Sequence, residues 1–87
     1  MRVTVRLFAR LRELAGAGEL ALDVRDDATV ADVWDALVEA HGALAPFAGA
    51  VSCAVNAEYA RRGRAVADGD EVAFLPPVSG GQDQWIR

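Results

Sequence analysis

Few side chains in this sequence could act on a bond. There is one cysteine, Cys53, and one histidine, His41; the nine cationic side chains are all arginine, and lysine is absent. Without lysine no side chain can form a Schiff base, and no ε-amine can accept an isopeptide bond. Cys53 could serve as a nucleophile or a sulfur relay. It shares parity with Val51 and Val55, however, which places it on the inward side of a strand as a small buried hydrophobe. His41 stands where a helix should end, at the negative pole of the helix dipole, with no second His or Cys at ligand spacing, so no metal site is expected. Arg61, Arg62 and Arg64 could meet an acidic partner or a phosphate, but three arginines on an exposed loop are more often only solvated. That leaves Gly80-Gly81, which by itself marks a flexible end.

The elements that must position these residues are legible from periodicity. Val3, Val5 and Leu7 alternate with Arg2, Thr4, Arg6 and Phe8, which predicts a half-buried strand over 3–8. Ala9 to Ala15 reads as one or two helical turns, and Gly16-Ala17-Gly18 turns the chain into a second strand from Glu19, with Leu20, Leu22 and Val24 on one side. Thr29 and Asp32 have capping-box spacing, and Val30, Val33, Trp34, Leu37 and Val38 form one apolar stripe, so the main helix starts there and Gly42 is expected to close it. Trp34 is a packing residue. After a loop with Pro46 and Phe47, Val51, Cys53 and Val55 predict a third strand, and Asn56 a turn. Residues 59–67 read as a loop, Asp68-Gly69-Asp70 as a turn, and Val72 and Phe74 as the inward residues of a last strand.

Two hairpins flanking one helix give an α+β layer, and the right-handed crossover rule puts the first and last long strands side by side. The expected fold is therefore a β-grasp: a mixed, four- to five-stranded sheet packed on one main helix. With 87 residues there is room for one domain. Apolar residues at 53% and charged residues at 25% suit a folded globule, and a net charge of −4 argues against nucleic acid or anionic lipid as partners. No apolar run approaches membrane-spanning length, and Met1-Arg2-Val3 does not open a signal peptide. A cytoplasmic protein is expected.

The segments FARLRELAG at Phe8 to Gly16 and DGDEVAFLPPVSGG at Asp68 to Gly81 resemble the small, sulfur-carrier subunit of molybdopterin synthase, of the ubiquitin-like carrier family that also serves the thiamine pathway. The resemblance covers residues 1–81. It implies a carrier domain whose terminal glycine, here Gly81 after Gly80, is activated as an acyl-adenylate and converted to a thiocarboxylate. It also implies a small subunit that supplies no catalytic side chain of its own and binds no cofactor, with ATP consumed by a ubiquitin-activating-like adenylyltransferase. The sulfur would pass to the large subunit of the synthase. Glycines suit a tail threaded into a narrow channel, and Pro76-Pro77 would stiffen its exit. The resemblance places docking at Phe8, Tyr59 and Leu75; parity independently puts Phe8 and Leu75 on the solvent face.

In the family pattern the second glycine ends the chain, whereas here Gln82-Asp83-Gln84-Trp85-Ile86-Arg87 follows. As written, Gly81 carries an amide carbonyl and cannot be adenylated. Three arrangements account for the extension 82–87: a precursor cut by a protease after Gly81, a fusion or its remnant, or a homologue that has left sulfur transfer. Delivery of sulfur to thiamine or cysteine synthesis, and a role as a protein modifier or binding module, are the rival functions.

Overall fold

The computed structural model describes residues 1–77. Gly80, Gly81 and the extension 82–87 lie outside the described residues.

Strand β1, Arg2–Leu7, buries Val3, Val5 and Leu7 and leaves its alternate residues outside, as period-2 patterning requires. It ends one residue earlier than predicted. Phe8 is already the extended N-cap of helix α1, Ala9–Ala15, whose only buried residue is Leu11. Gly16 ends α1 in the left-handed conformation, φ 77°, donating its N–H to the Arg12 carbonyl, a conformation that favours glycine. Strand β2, Glu19–Asp23, returns antiparallel to β1.

Helix α2, Val30–Ala40, begins with the capping box foreseen from the sequence. The Asp32 backbone N–H donates to Thr29 Oγ1 at 3.4 Å, and the Thr29 N–H donates to Asp32 Oδ2 at 2.8 Å. Two further N–H groups of the first turn find partners that sequence did not reveal. Val30 donates to the Arg64 carbonyl and Ala31 to the Arg62 carbonyl, each at 2.9 Å. The arginine loop is thus tied through its backbone to the helix N-terminus, and it satisfies donors that would otherwise be orphaned.

The end of α2 differs from expectation. Its C-cap is His41, φ −135°, with its N–H bonded to the Leu37 carbonyl, and Gly42 opens a 3-10 helix, Gly42–Phe47. The stretch expected as a loop is therefore helical. It buries Leu44, whose fully occluded side chain joins the core and holds this turn down.

Strand β3, Ser52–Val55, is followed by a strand missed in the sequence, β4, Glu58–Ala60. The connection is the two-residue turn Asn56-Ala57, with φ 50° and 71°. Two positive φ values in succession match the twist of a tight hairpin. Strand β5, Glu71–Leu75, completes a five-stranded sheet in the order β2-β1-β5-β3-β4. β1 and β5 are parallel neighbours, as the crossover rule predicted, and the other pairings are antiparallel. This is the expected β-grasp.

The core lies between the sheet and α2. Val30, Val33, Trp34 and Leu37 join Val3, Val5, Leu7, Val55, Val72 and Phe74 in one cluster. Trp34 meets Phe74 edge-on, with ring centroids 5.0 Å apart. Filling that space with large side chains makes the sheet a rigid platform for what lies on its other face.

Candidate functional site

The pairing registers define the outer face of the sheet. Arg6 stands opposite Glu19 on one side and Ala73 on the other; Ala73 stands opposite Ala54, and Ala54 opposite Tyr59. Residues in register share a face, so Glu19, Arg6, Ala73, Ala54 and Tyr59 form one row across all five strands. The next row toward the chain exit pairs Leu75 with Ser52. The middle of this face is built from small side chains, which leaves a shallow floor between larger residues at its margins.

Two of those residues are large, apolar and in water: Phe8 is 39% exposed and Tyr59 is 83% exposed. Leu75 is half-buried, at the end of β5 and beside the Phe8 end of β1, because Leu7 is in parallel register with Phe74. Phe8, Tyr59 and Leu75 are thereby brought to one side of the sheet. Pro76 is half-buried and Pro77 exposed. They carry the chain away from β5, which lies at the centre of the sheet between β1 and β3.

Arg6 was not singled out from the sequence. Its guanidinium carbon lies 5.8 Å from the centroid of the Phe8 ring, within cation–π reach. Its Nη1 lies 3.6 Å from Glu71 Oε2, while its Nε is occluded without a hydrogen-bond partner among the described residues. The outward parity of Arg6, shared with Phe8, was the available signal. The ion pair is exposed and contributes little stability, ~0–1 kcal/mol. Its placement matters more, because it puts a charged pair beside an apolar patch.

Cys53 is 5% exposed, and burial pushes its thiol above the ordinary range. A thiol held protonated inside a core is a poor nucleophile, in keeping with its reading as a buried hydrophobe. Among the arginines of the 61–64 loop, Arg61 and Arg64 are exposed, while Arg62 is half-buried and donates from Nη2 to the Val51 carbonyl at 3.4 Å. Among the described residues no three His, Cys, Asp or Glu side chains are grouped so as to hold a metal ion. Nor is any helix there long and apolar enough to cross a membrane.

The loop that launches β5 is fixed by Asn56 and Asp70. The Asn56 amide donates to Asp70 Oδ1 at 3.0 Å, and its Oδ1 accepts from the Glu71 N–H at 3.0 Å. The Ala67 N–H donates to Asp70 Oδ2 at 2.8 Å. Chiefly through that backbone bond, and then through Asn56, the Asp70 carboxyl is held below its ordinary range. These contacts anchor the strand from which the tail departs.

Comparison with known proteins places the chain among characterised relatives. The model of the ThiS family matches residues 5–81. Small archaeal modifier protein 1 of Haloferax volcanii is 45% identical over 84 residues, covering 87% of this chain and 97% of that protein. Its crystal structure superposes with a TM-score of 0.84 at 43% identity, over 93% of this chain and all of the other. The molybdopterin synthase sulfur carrier subunit of Chlamydomonas reinhardtii is 40% identical over 83 residues, covering 93% of this chain and 100% of that protein. A chain in the crystal structure of the BexX/CysO complex of Amycolatopsis orientalis is 30% identical, with a TM-score of 0.67 over 91% of this chain and 99% of that one.

Proposed function

This chain belongs to the ThiS family of ubiquitin-like β-grasp proteins, and from that premise we propose that it carries sulfur on Gly81 for molybdopterin synthesis. The observation that carries the reading is the coincidence of two features. The outer sheet face gathers Phe8, Tyr59 and Leu75, and the strand ending at Leu75 leads through Pro76-Pro77 toward Gly80-Gly81. A docking face beside the root of a glycine-ended tail lets one partner hold the domain while the tail enters its active site.

The proposed chemistry belongs to the partners. A carboxylate is a poor electrophile until one oxygen becomes a good leaving group. The Gly81 carboxylate attacks the α-phosphorus of ATP on an adenylyltransferase, pyrophosphate leaves, and an acyl-adenylate results. A sulfur nucleophile at the sulfide level then adds to the carbonyl and expels AMP, leaving the thiocarboxylate. The large synthase subunit takes the sulfur from there. From Pro76 to Gly81 an extended tail spans roughly 20 Å, enough to enter a neighbouring site. The chain's own contribution is to bind, to point the tail, and to keep it narrow.

In this sequence the reading requires cleavage between Gly81 and Gln82, which places a protease among the partners. Intact mass of the protein from its native cells tests this step. Loss of residues 82–87, followed by exchange of one oxygen for one sulfur, is expected; a chain that stays full length while its pathway runs contradicts it. Capture of the large synthase subunit, rather than a thiamine- or cysteine-forming enzyme, tests the pathway.

The 45% identity to a protein named as a modifier favours a second reading, attachment of Gly81 to amines of other proteins. Because the chain has no lysine, it would act in such a system as a donor and not as a side-chain acceptor. Covalent adducts of Gly81 on target lysines would establish that role.

A further inference from the structure

Strand β2 is an edge of the sheet, and half of its backbone hydrogen-bonding groups find no partner among the described residues. The Met1 amine donates to the Val24 carbonyl at 2.7 Å and the Val24 N–H donates to the Met1 carbonyl at 2.8 Å, so these two residues exchange both bonds. Val3 stands opposite Leu22 and Val5 opposite Leu20, and antiparallel alternation makes these the next exchanging pairs. At the far end the Leu7 N–H reaches the Gly18 carbonyl at 2.9 Å. The N–H and C=O groups of Glu19, Ala21 and Asp23 therefore point away from β1, toward the open side of the sheet. No described residue bonds them.

An incompletely covered apolar strip lies along the core side of this edge. Leu20, Leu22 and Val24 of β2, with Val38 of α2, pack on the core yet remain only half-buried. Where β2 ends, a cleft of ≈ 310 Å³ opens between Val24 and Ala36. Its walls carry Asp23, Asp32, Asp35 and Glu39 against a single cation, Arg25. Asp23 is paired with Arg2, and Asp32 with Arg25, which also binds Asp27. Asp35 and Glu39 are exposed and have no ionic partner among the described residues. The cleft is therefore net acidic beside an open strand edge. The other sheet edge, β4, is three residues long and presents Tyr59.

We propose that the β2 edge accepts an extended segment of a partner protein as a sixth strand, with alternate apolar side chains over Leu20, Leu22 and Val24 and flanking Lys or Arg against Asp35 and Glu39. Backbone pairing to Glu19, Ala21 and Asp23 supplies affinity, and the acidic wall supplies the charge preference. The site lies at the sheet edge opposite Tyr59. A partner bound here need not compete with docking on the outer face. The proposal does not rest on sulfur transfer.

Titration of isotope-labelled protein with the peptide Lys-Lys-Val-Ile-Val-Ile-Lys-Lys, and with its counterpart bearing Glu in place of Lys, tests it by amide shifts and hydrogen exchange. The basic peptide should shift residues of β2 and the 35–39 stretch of α2, protect the Ala21 amide, and bind on the order of tenfold more tightly than the acidic one at low salt. Ala21→Pro removes an outward donor without breaking a bond to β1, a position an edge strand tolerates, and should abolish binding. Asp35→Lys with Glu39→Lys leaves the strand intact and should reverse the preference between the peptides. Equal affinity for both peptides, shifts centred on Phe8 and Tyr59, no binding of either peptide, or undiminished binding to a folded Ala21→Pro variant would each overturn it.

Discussion

At the residue scale, two kinds of apolar side chain are separated by where they point. Phe74 is fully buried against Trp34, whereas Phe8 and Tyr59 stand in water on the opposite side of the sheet. Truncating a buried aromatic removes about 3–5 kcal/mol of stability, but a surface truncation stays within about 0.5 kcal/mol. Phe8→Ala and Tyr59→Ala should therefore leave the denaturation midpoint close to that of the parent while weakening partner binding by about 2 kcal/mol or more each, read by calorimetry against the large synthase subunit. Unchanged affinity would remove these residues from the docking face. Asp70 makes a different prediction, because the Ala67 N–H and the Asn56 amide hold its carboxyl below the ordinary range. A carboxyl with a lower value in the folded state binds fewer protons there than in the unfolded chain, so stability rises with pH across the interval between the two values. That contribution is complete above pH ~4 and is lost as pH falls through the folded value. Denaturant titrations at stepped acidic pH should show Asp70→Asn losing less stability than the parent over this interval; equal slopes would mean that Asp70 does not contribute.

At the element scale, the hairpin joining β3 to β4 carries a cost that sequence did not reveal. Ala57 adopts φ 71°, a left-handed conformation that costs a residue with a Cβ about 1–2 kcal/mol. Ala57→Gly should raise stability by roughly 1 kcal/mol, after subtracting the entropy that glycine adds to the unfolded chain, as measured by urea denaturation. A destabilised variant would show that the turn is not strained at this position. The same hairpin holds an element that hydrophobic period does not mark. β1, α2 and β5 were legible because each turns a regular apolar stripe into the core, so hydrophobic period and, for α2, capping chemistry agree there. The segment Glu58–Ala60 has no such period: its residues are exposed or half-buried, and what makes it a strand is pairing with β3, a non-local fact. The segment after α2, with Pro46 and Phe47, carries the marks of a loop, yet burial of Leu44 holds Gly42–Phe47 as a 3-10 helix. Carbonyl support for α2 from Arg62 and Arg64 was invisible for a related reason, since it uses backbone atoms that any residue possesses. The outer-face residues proposed for docking were partly legible. Parity gave Phe8 and Leu75 their outward face, resemblance supplied Tyr59, and Arg6 emerged only when the registers placed it between Phe8 and Glu71.

At the scale of the whole molecule, the proposed function separates a rigid domain from a reactive end. The described residues form one core around α2, with β5 held on both sides, and the chemistry is assigned to a glycine pair beyond the last strand. Leu75 and Pro76 leave from the centre of a packed sheet, so the root of the proposed carrier tail is firmly held. The absence of lysine fits the proposed donor role, and the single thiol, Cys53, is buried in the core. What the account requires above all is that Gly81, once terminal, can be charged with sulfur. The most direct measurement is the intact mass of a chain stopped at Gly81 after incubation with its activating enzyme, ATP and a sulfur donor. The account predicts an ATP-dependent exchange of one oxygen for one sulfur, absent from the full-length chain that still carries residues 82–87. A Gly81-ended chain that forms neither adenylate nor thiocarboxylate, under conditions where the enzyme charges an established carrier, would contradict it.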